Sequence, residues 1–133
     1  MILAEIRDYL KTLDIANYYT IGKLDNSKEE AICIYGDGSM GRVEAFGKNS
    51  SYDITGIRIL YHGTKNLNET EQVARSLYDS LRYITDTDMG TLHVQYLDLN
   101  YSEPVFLGTD ANGVYEYIIS GAIYYRKESE DNE

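Results

Sequence analysis

The sequence predicts an α+β fold, a mainly antiparallel sheet of about five strands with two helices packed on one face. Three observations carry that expectation. Apolar side chains repeat at helical spacing near the N-terminus, a second such stretch stands in the middle of the chain, and Tyr- and Ile-rich segments with period-two alternation occupy much of the rest.

Taking the elements in order, Ile2, Leu3, Ile6, Tyr9, Leu10 and Leu13 recur three and four residues apart, with Glu5, Arg7, Asp8 and Lys11 between them. That pattern describes an amphipathic helix. Residues 17–24 and 31–35 read as the two strands of a hairpin joined by the polar connection 25–30. Cys33, the single cysteine, lies inside the second of these strands and is expected to be a buried structural thiol, since no cationic or helix-terminal neighbour would activate it. A Gly-, Ser- and Asn-containing region follows over residues 36–51, and residues 54–61 give a third strand. Asn68 with Glu71 matches a capping box, and Val73, Leu77, Leu81 and Ile84 form the apolar stripe of the helix it would open. Residues 85–90 read as an acidic turn and residues 92–99 as a fourth strand.

The last quarter of the chain is the richest in information. Residues 104–127 read as a short strand, a turn and one long strand, with Asn112-Gly113 supplying the positive dihedrals of a tight turn. From residue 114 to 125, Tyr115, Tyr117, Ile119, Ile123 and Tyr125 share one face, and Val114, Glu116, Ile118, Ser120, Ala122 and Tyr124 the other. Neither face is cleanly polar. Such a strand needs cover from helices on one side and from another subunit on the other, which points to an assembly part before an enzyme.

Composition bounds the function classes. A chain of 133 residues suits one domain, expected over residues 1–127, with the acidic stretch 128–133 as a disordered tail. With no apolar run of about eighteen residues and no signal-like start, neither a membrane span nor secretion is expected. The balance of 22 acidic against 12 basic residues, a net charge of -10, argues against ordinary nucleic-acid binding, which needs Lys and Arg on phosphates.

The motifs with chemical meaning are weak. Gly36-Asp-Gly-Ser-Met-Gly41 satisfies the dinucleotide pattern in spelling, but residues 42–46 leave no room for the helix that should hold a pyrophosphate, and no carboxylate ends the next strand. Asp86 and Asp88 stand where a calcium loop would begin, yet its twelfth position is Leu97. His62 and His93 sit in no spacing associated with zinc and read as strand-end residues. No nucleophile is nominated beside a base, so no catalytic residue, cofactor or metal is expected. The abundant Tyr side chains, without basic neighbours, read as strand filler and interface contacts.

The phrase Pro104-x-x-Leu107-Gly108-x-Asp110-x-x-Gly113-x-Tyr115-Glu116-Tyr117, followed by a strand ending in Tyr124-Tyr125-Arg126, resembles the phage minor capsid or tail-terminator family, small proteins of long-tailed bacteriophages. Residues 17–25 with 31–35 are similar to that family's first hairpin, and the resemblance extends over most of the chain. It implies a virion structural protein that forms a homohexameric ring at the head-proximal end of the tail, caps the tail tube, stops its polymerisation and offers a joining surface to the head. The implied partners are copies of itself, monomeric in dilute solution, the tail tube protein and a head-completion or neck protein, with no membrane. DNA would pass the ring without specific binding. The implied location is the virion tail, and the host cytoplasm during assembly or as a prophage product. Candidate contact residues are Tyr115, Tyr117, Ile119, Tyr124 and Tyr125 on the last strand, Met40 and Arg42 in the glycine-containing loop, and Asp86 and Asp88 in the acidic turn. The alternatives are another head–tail connector component, such as a stopper or tail-completion protein, and, from a different class, a small nucleotide-binding enzyme using residues 36–41.

Overall fold

The long last strand is the axis on which the rest of the sheet is hung. The computed structural model describes residues 2–37 and 53–127. In chain order these form α1 (Ile2–Thr12), β1 (Tyr18–Ile21), β2 (Ala31–Gly36), β3 (Asp53–His62), α2 (Leu67–Arg82), β4 (Thr85–Met89), β5 (Leu92–Leu99), β6 (Val105–Thr109) and β7 (Tyr115–Lys127). The sheet runs β1-β2-β3-β7-β5-β4, with β6 also on β7, and it curls into a half-barrel.

β3 accompanies one edge of β7 from His62↔Glu116 to Asp53↔Tyr125. The other edge is shared. β6 takes its first part, Tyr115 to Ile118, and β5 takes its second, Gly121 to Lys127. Small residues, Ser120, Gly121 and Ala122, stand where one neighbour gives way to the next. Both helices supply one core with alternate strand residues: Ile6 and Leu10 of α1 and Ala74, Leu77 and Leu81 of α2 meet Ile32, Ile34, Ile57, Ile59, Tyr61 and, on β7, Tyr117, Ile119, Ile123 and Tyr125. Each such Ile or Leu contributes about 1.5–3 kcal/mol when fully buried. On the opposite, curled face Ala31, Cys33, Leu60, His62 and Ala122 are also buried, so Cys33 is an enclosed side chain as its sequence context suggests.

The sheet is larger than the sequence pattern predicts, and it is mixed. β1 pairs with β2 in parallel, from Tyr18↔Ala31 to Ile21↔Ile34, so these segments are not a hairpin. Their connection folds back across the sheet end, where the Asn17 N–H donates to Glu30 O and the Glu30 N–H to Gly63 O. Residues 85–89 are a strand, because Thr87 and Met89 pair with Val94 and Leu92; the reversal is compressed into Gly90, at φ 63°, and Thr91. The Glu5 carboxylate accepts from the Thr91 N–H and hydroxyl, fastening α1 to that turn. α2 is capped by Asn66 and not Asn68: Asn66 Oδ1 accepts from the Glu69 N–H at 3.0 Å, the same Asn-x-x-Glu spelling two residues earlier. In the β6–β7 turn only Gly113 has positive φ, at 82°; Asp110 does the rest, its Oδ1 accepting from the Asn112 and Val114 N–H groups at 2.9 and 3.0 Å. Among the described residues no helix is long and apolar enough to cross a membrane.

Candidate functional site

The site begins where β5 ends. Its successor β6 must cross to the same edge of β7, and residues 100–104 make that step, anchored by the Tyr78 hydroxyl donating to Tyr101 O at 2.7 Å and by buried Pro104. β6 then spells Val-Phe-Leu, three apolar residues in succession, which a strand covered on one face cannot bury together. The result is an apolar strip: Tyr101 is 61% exposed, and Phe106 and Leu107 are each 50% exposed. Phe106 packs obliquely on Tyr117 and Tyr115, with ring centroids 5.3 and 6.1 Å apart. Beside it, Arg75 of α2 is clamped between Glu71 at 3.1 Å and Glu103 at 3.0 Å, and these ion pairs line a shallow groove with Tyr101, Phe106 and Tyr117. Among the described residues no strand pairs with the outer edge of β6. An open edge flanked by exposed apolar side chains can accept another chain.

The contact residues expected from sequence divide into separate places. Tyr117, Ile119 and Tyr125 are core side chains of this chain, enclosed by its own helices. Tyr115 is half-buried and touches Phe106. Tyr124 is half-buried on the other sheet face, where it stacks on Tyr96 with centroids 4.5 Å apart and planes 11° from parallel. Asp86 and Asp88 are exposed on β4 and flank His93, whose Nδ1 lies 2.8 Å from Asp88 and Nε2 3.4 Å from Asp86. The hydrogen bond to Asp88, with a smaller one to Asp86, raises the His93 pKa against partial burial and the charge of Arg126. Met40, Arg42 and most of the glycine loop 36–41 lie outside the described residues, as does the tail 128–133. Tyr101, Phe106 and Leu107 were missed as a group. The signal for Phe106 and Leu107 is the unalternating apolar run from Val105 to Leu107; Tyr101 stands outside it, in the connection 100–104.

A second constellation lies at the far end of the β6–β7 hairpin, on the curled face. His62 closes β3 with no exposed side-chain area, its Nδ1 2.8 Å from Glu116 Oε2 and its Nε2 3.8 Å from Asp110 Oδ2. Glu116 is the register partner of His62 across β3 and β7. Asp110 arrives from the turn, where the backbone hydrogen bond from Val114 holds its carboxyl below the ordinary range.

No family model matches the chain, and no curated protein matches it. Among solved structures the chain is similar to "Structure of bacteriophage SPP1 gp17 protein", at 14% identity over 98% of this chain and 87% of that one, with a TM-score of 0.43. A likeness of that degree establishes neither family nor function.

Proposed function

We propose that this chain is a virion structural protein of a long-tailed bacteriophage, a tail terminator that closes into a ring on the tail tube, stops its polymerisation and presents a joining surface to the neck of the head. The observation that carries this reading is the unpaired edge of β6 with its exposed Tyr101, Phe106 and Leu107. Closing a ring takes a head-to-tail contact between two different patches. β1, the strand at one end of the sheet path, supplies a second and distinct edge, with Tyr18 exposed.

The resemblance of residues 104–126 to the tail-terminator family supports the same reading, and the structure gives that phrase a physical job. Pro104 is buried at the entry to β6, Gly108 takes φ 93° at a bulge, Asp110 organises the turn and Gly113 completes it. The phrase therefore shapes the hairpin that displays the open edge. Six copies would carry 6 × -10, or -60 in all, and a passage of that sign would let DNA through without adhesion. The reaction is binding and closure, with no chemical step.

The test is the mass of the purified chain over a concentration series by native mass spectrometry, with negative-stain images of the larger species alone and with tail tubes. Six-membered rings, free or seated on tube ends, are expected. A stable dimer, or a monomer that never binds a tube end, would overturn the proposal.

A further inference from the structure

The constellation on the curled face supports a separate conclusion. His62 is fully buried, and its Nε2 and the facing Asp110 Oδ2 are both enclosed side-chain atoms without a hydrogen-bond partner. An ionised carboxylate only accepts, so the bond between His62 and Glu116 puts a proton on Nδ1, and in the neutral ring Nε2 then carries a lone pair. Asp110 Oδ2, a second acceptor, lies close to it. Two buried acceptors face to face call for a donor or a cation between them, and a metal ion meets both lone pairs at once. Their 3.8 Å separation is about 1 Å too long for a bridging N–H···O bond. It does suit coordination: two bonds of roughly 2.0–2.1 Å span it at an angle of about 135°, which a closure of a few tenths of an ångström makes tetrahedral.

We infer that His62, Asp110 and Glu116 form a binding site for a divalent transition metal of zinc's class. His62 Nε2 and Asp110 Oδ2 are the direct ligands. Glu116 stands behind the imidazole on Nδ1, fixing its tautomer and orientation as a carboxylate does behind a metal-bound histidine. All three groups offer ligand atoms within 4.8 Å of one another. Asp110 and Glu116 keep 13% and 18% of their side chains exposed, which is the side from which a metal ion would enter. Imidazole nitrogen with carboxylate oxygen favours zinc over magnesium or calcium, which take oxygen alone. Bound there, the metal staples the β6–β7 turn to the end of β3 and so holds the hairpin that carries Phe106 and Leu107. This inference does not depend on the tail-terminator reading.

The experiment uses the full chain after chelator treatment, titrated with zinc chloride and followed by native mass spectrometry, thermal unfolding and NMR of the histidine rings. The chain has two histidines, so the rings are told apart with His93→Gln, a change at a half-buried β5 residue bonded to Asp86 and Asp88 and to none of the three site groups. Expected are one zinc per chain, a rise in Tm of several degrees at saturation, and zinc-dependent shifts of the His62 ring resonances with those of His93 unmoved; magnesium and calcium reproduce none of these. Asp110→Asn keeps the oxygen that accepts the two turn N–H groups and should abolish the rise in Tm. A zinc response carried by His93, one that survives in Asp110→Asn, or none at millimolar zinc would each overturn the inference. The ring spectra of the unaltered chain decide the matter even if the variant fails to fold.

Discussion

Gly121 sets how closely β5 and β7 approach. A Cβ there would collide with the Asp98 carbonyl oxygen and stand 2.9 Å from Leu99 Cα, and both are backbone atoms of the neighbouring strand that cannot swing aside. Gly121→Ala should therefore destabilise the fold by about 1–3 kcal/mol, seen as a lower urea midpoint with an unchanged slope; an unchanged midpoint would refute the close approach. His93 makes a different kind of prediction. Its folded-state pKa is raised, first by Asp88, then by Asp86 and against Arg126, so the stabilisation is fully present below its ordinary value of 6.5 and is lost as pH rises through the higher folded value. Tm should fall as pH rises above 6.5, and Asp88→Asn should flatten the fall. Identical curves for the two proteins would remove the pair from the account.

At the scale of the element, β6 and its partner β7 separate folding from assembly. Leu107 is half-exposed on β6, so Leu107→Asp should leave the isolated subunit within about 0.5 kcal/mol of its original stability while abolishing self-association or attachment to tubes. Tyr117, the register partner of Phe106 on β7, is buried, and Tyr117→Asp places a charge in the core and should prevent folding altogether. If Leu107→Asp assembles normally in the same native mass and imaging assays, the β6 edge is not the contact. The elements that were legible in the sequence are those whose signal is local: the stripe of α1, the run 92–99 that matches β5, and the alternation that put Tyr117, Ile119, Ile123 and Tyr125 together on the core face of β7. What could not be read there depends on distant partners. β4 spells Thr-Asp-Thr-Asp-Met and is a strand only because β5 lies beside it, and the parallel run of β1 along β2 is decided by contacts at Glu30 and Gly63. The His62 constellation has the same origin, since Glu116 lies 54 residues away in sequence and is brought to His62 by strand register.

For the whole molecule the governing quantity is charge. Every copy carries a net charge of -10, so in the proposed ring approaching copies repel one another unless the charge is screened. The contact offered for closure is mostly apolar, Tyr101, Phe106 and Leu107, and its attraction is not screened by salt. Repulsion is: its range contracts from about 30 Å at 0.01 M ionic strength to about 8 Å at 0.15 M. Association should accordingly tighten as salt rises over that interval, with sedimentation velocity showing more of the ring at fixed protein concentration. Weaker association at higher salt would mean that subunits are held by opposite charges, and would move the contact from the apolar strip to the neighbouring ion pairs of Glu71, Arg75 and Glu103. The same acidity makes a prediction for DNA with the opposite salt dependence from that of a phosphate-binding protein. Retention on immobilised duplex should be absent at 0.15 M salt and should not appear when the salt is lowered, because weaker screening lengthens the reach of the repulsion.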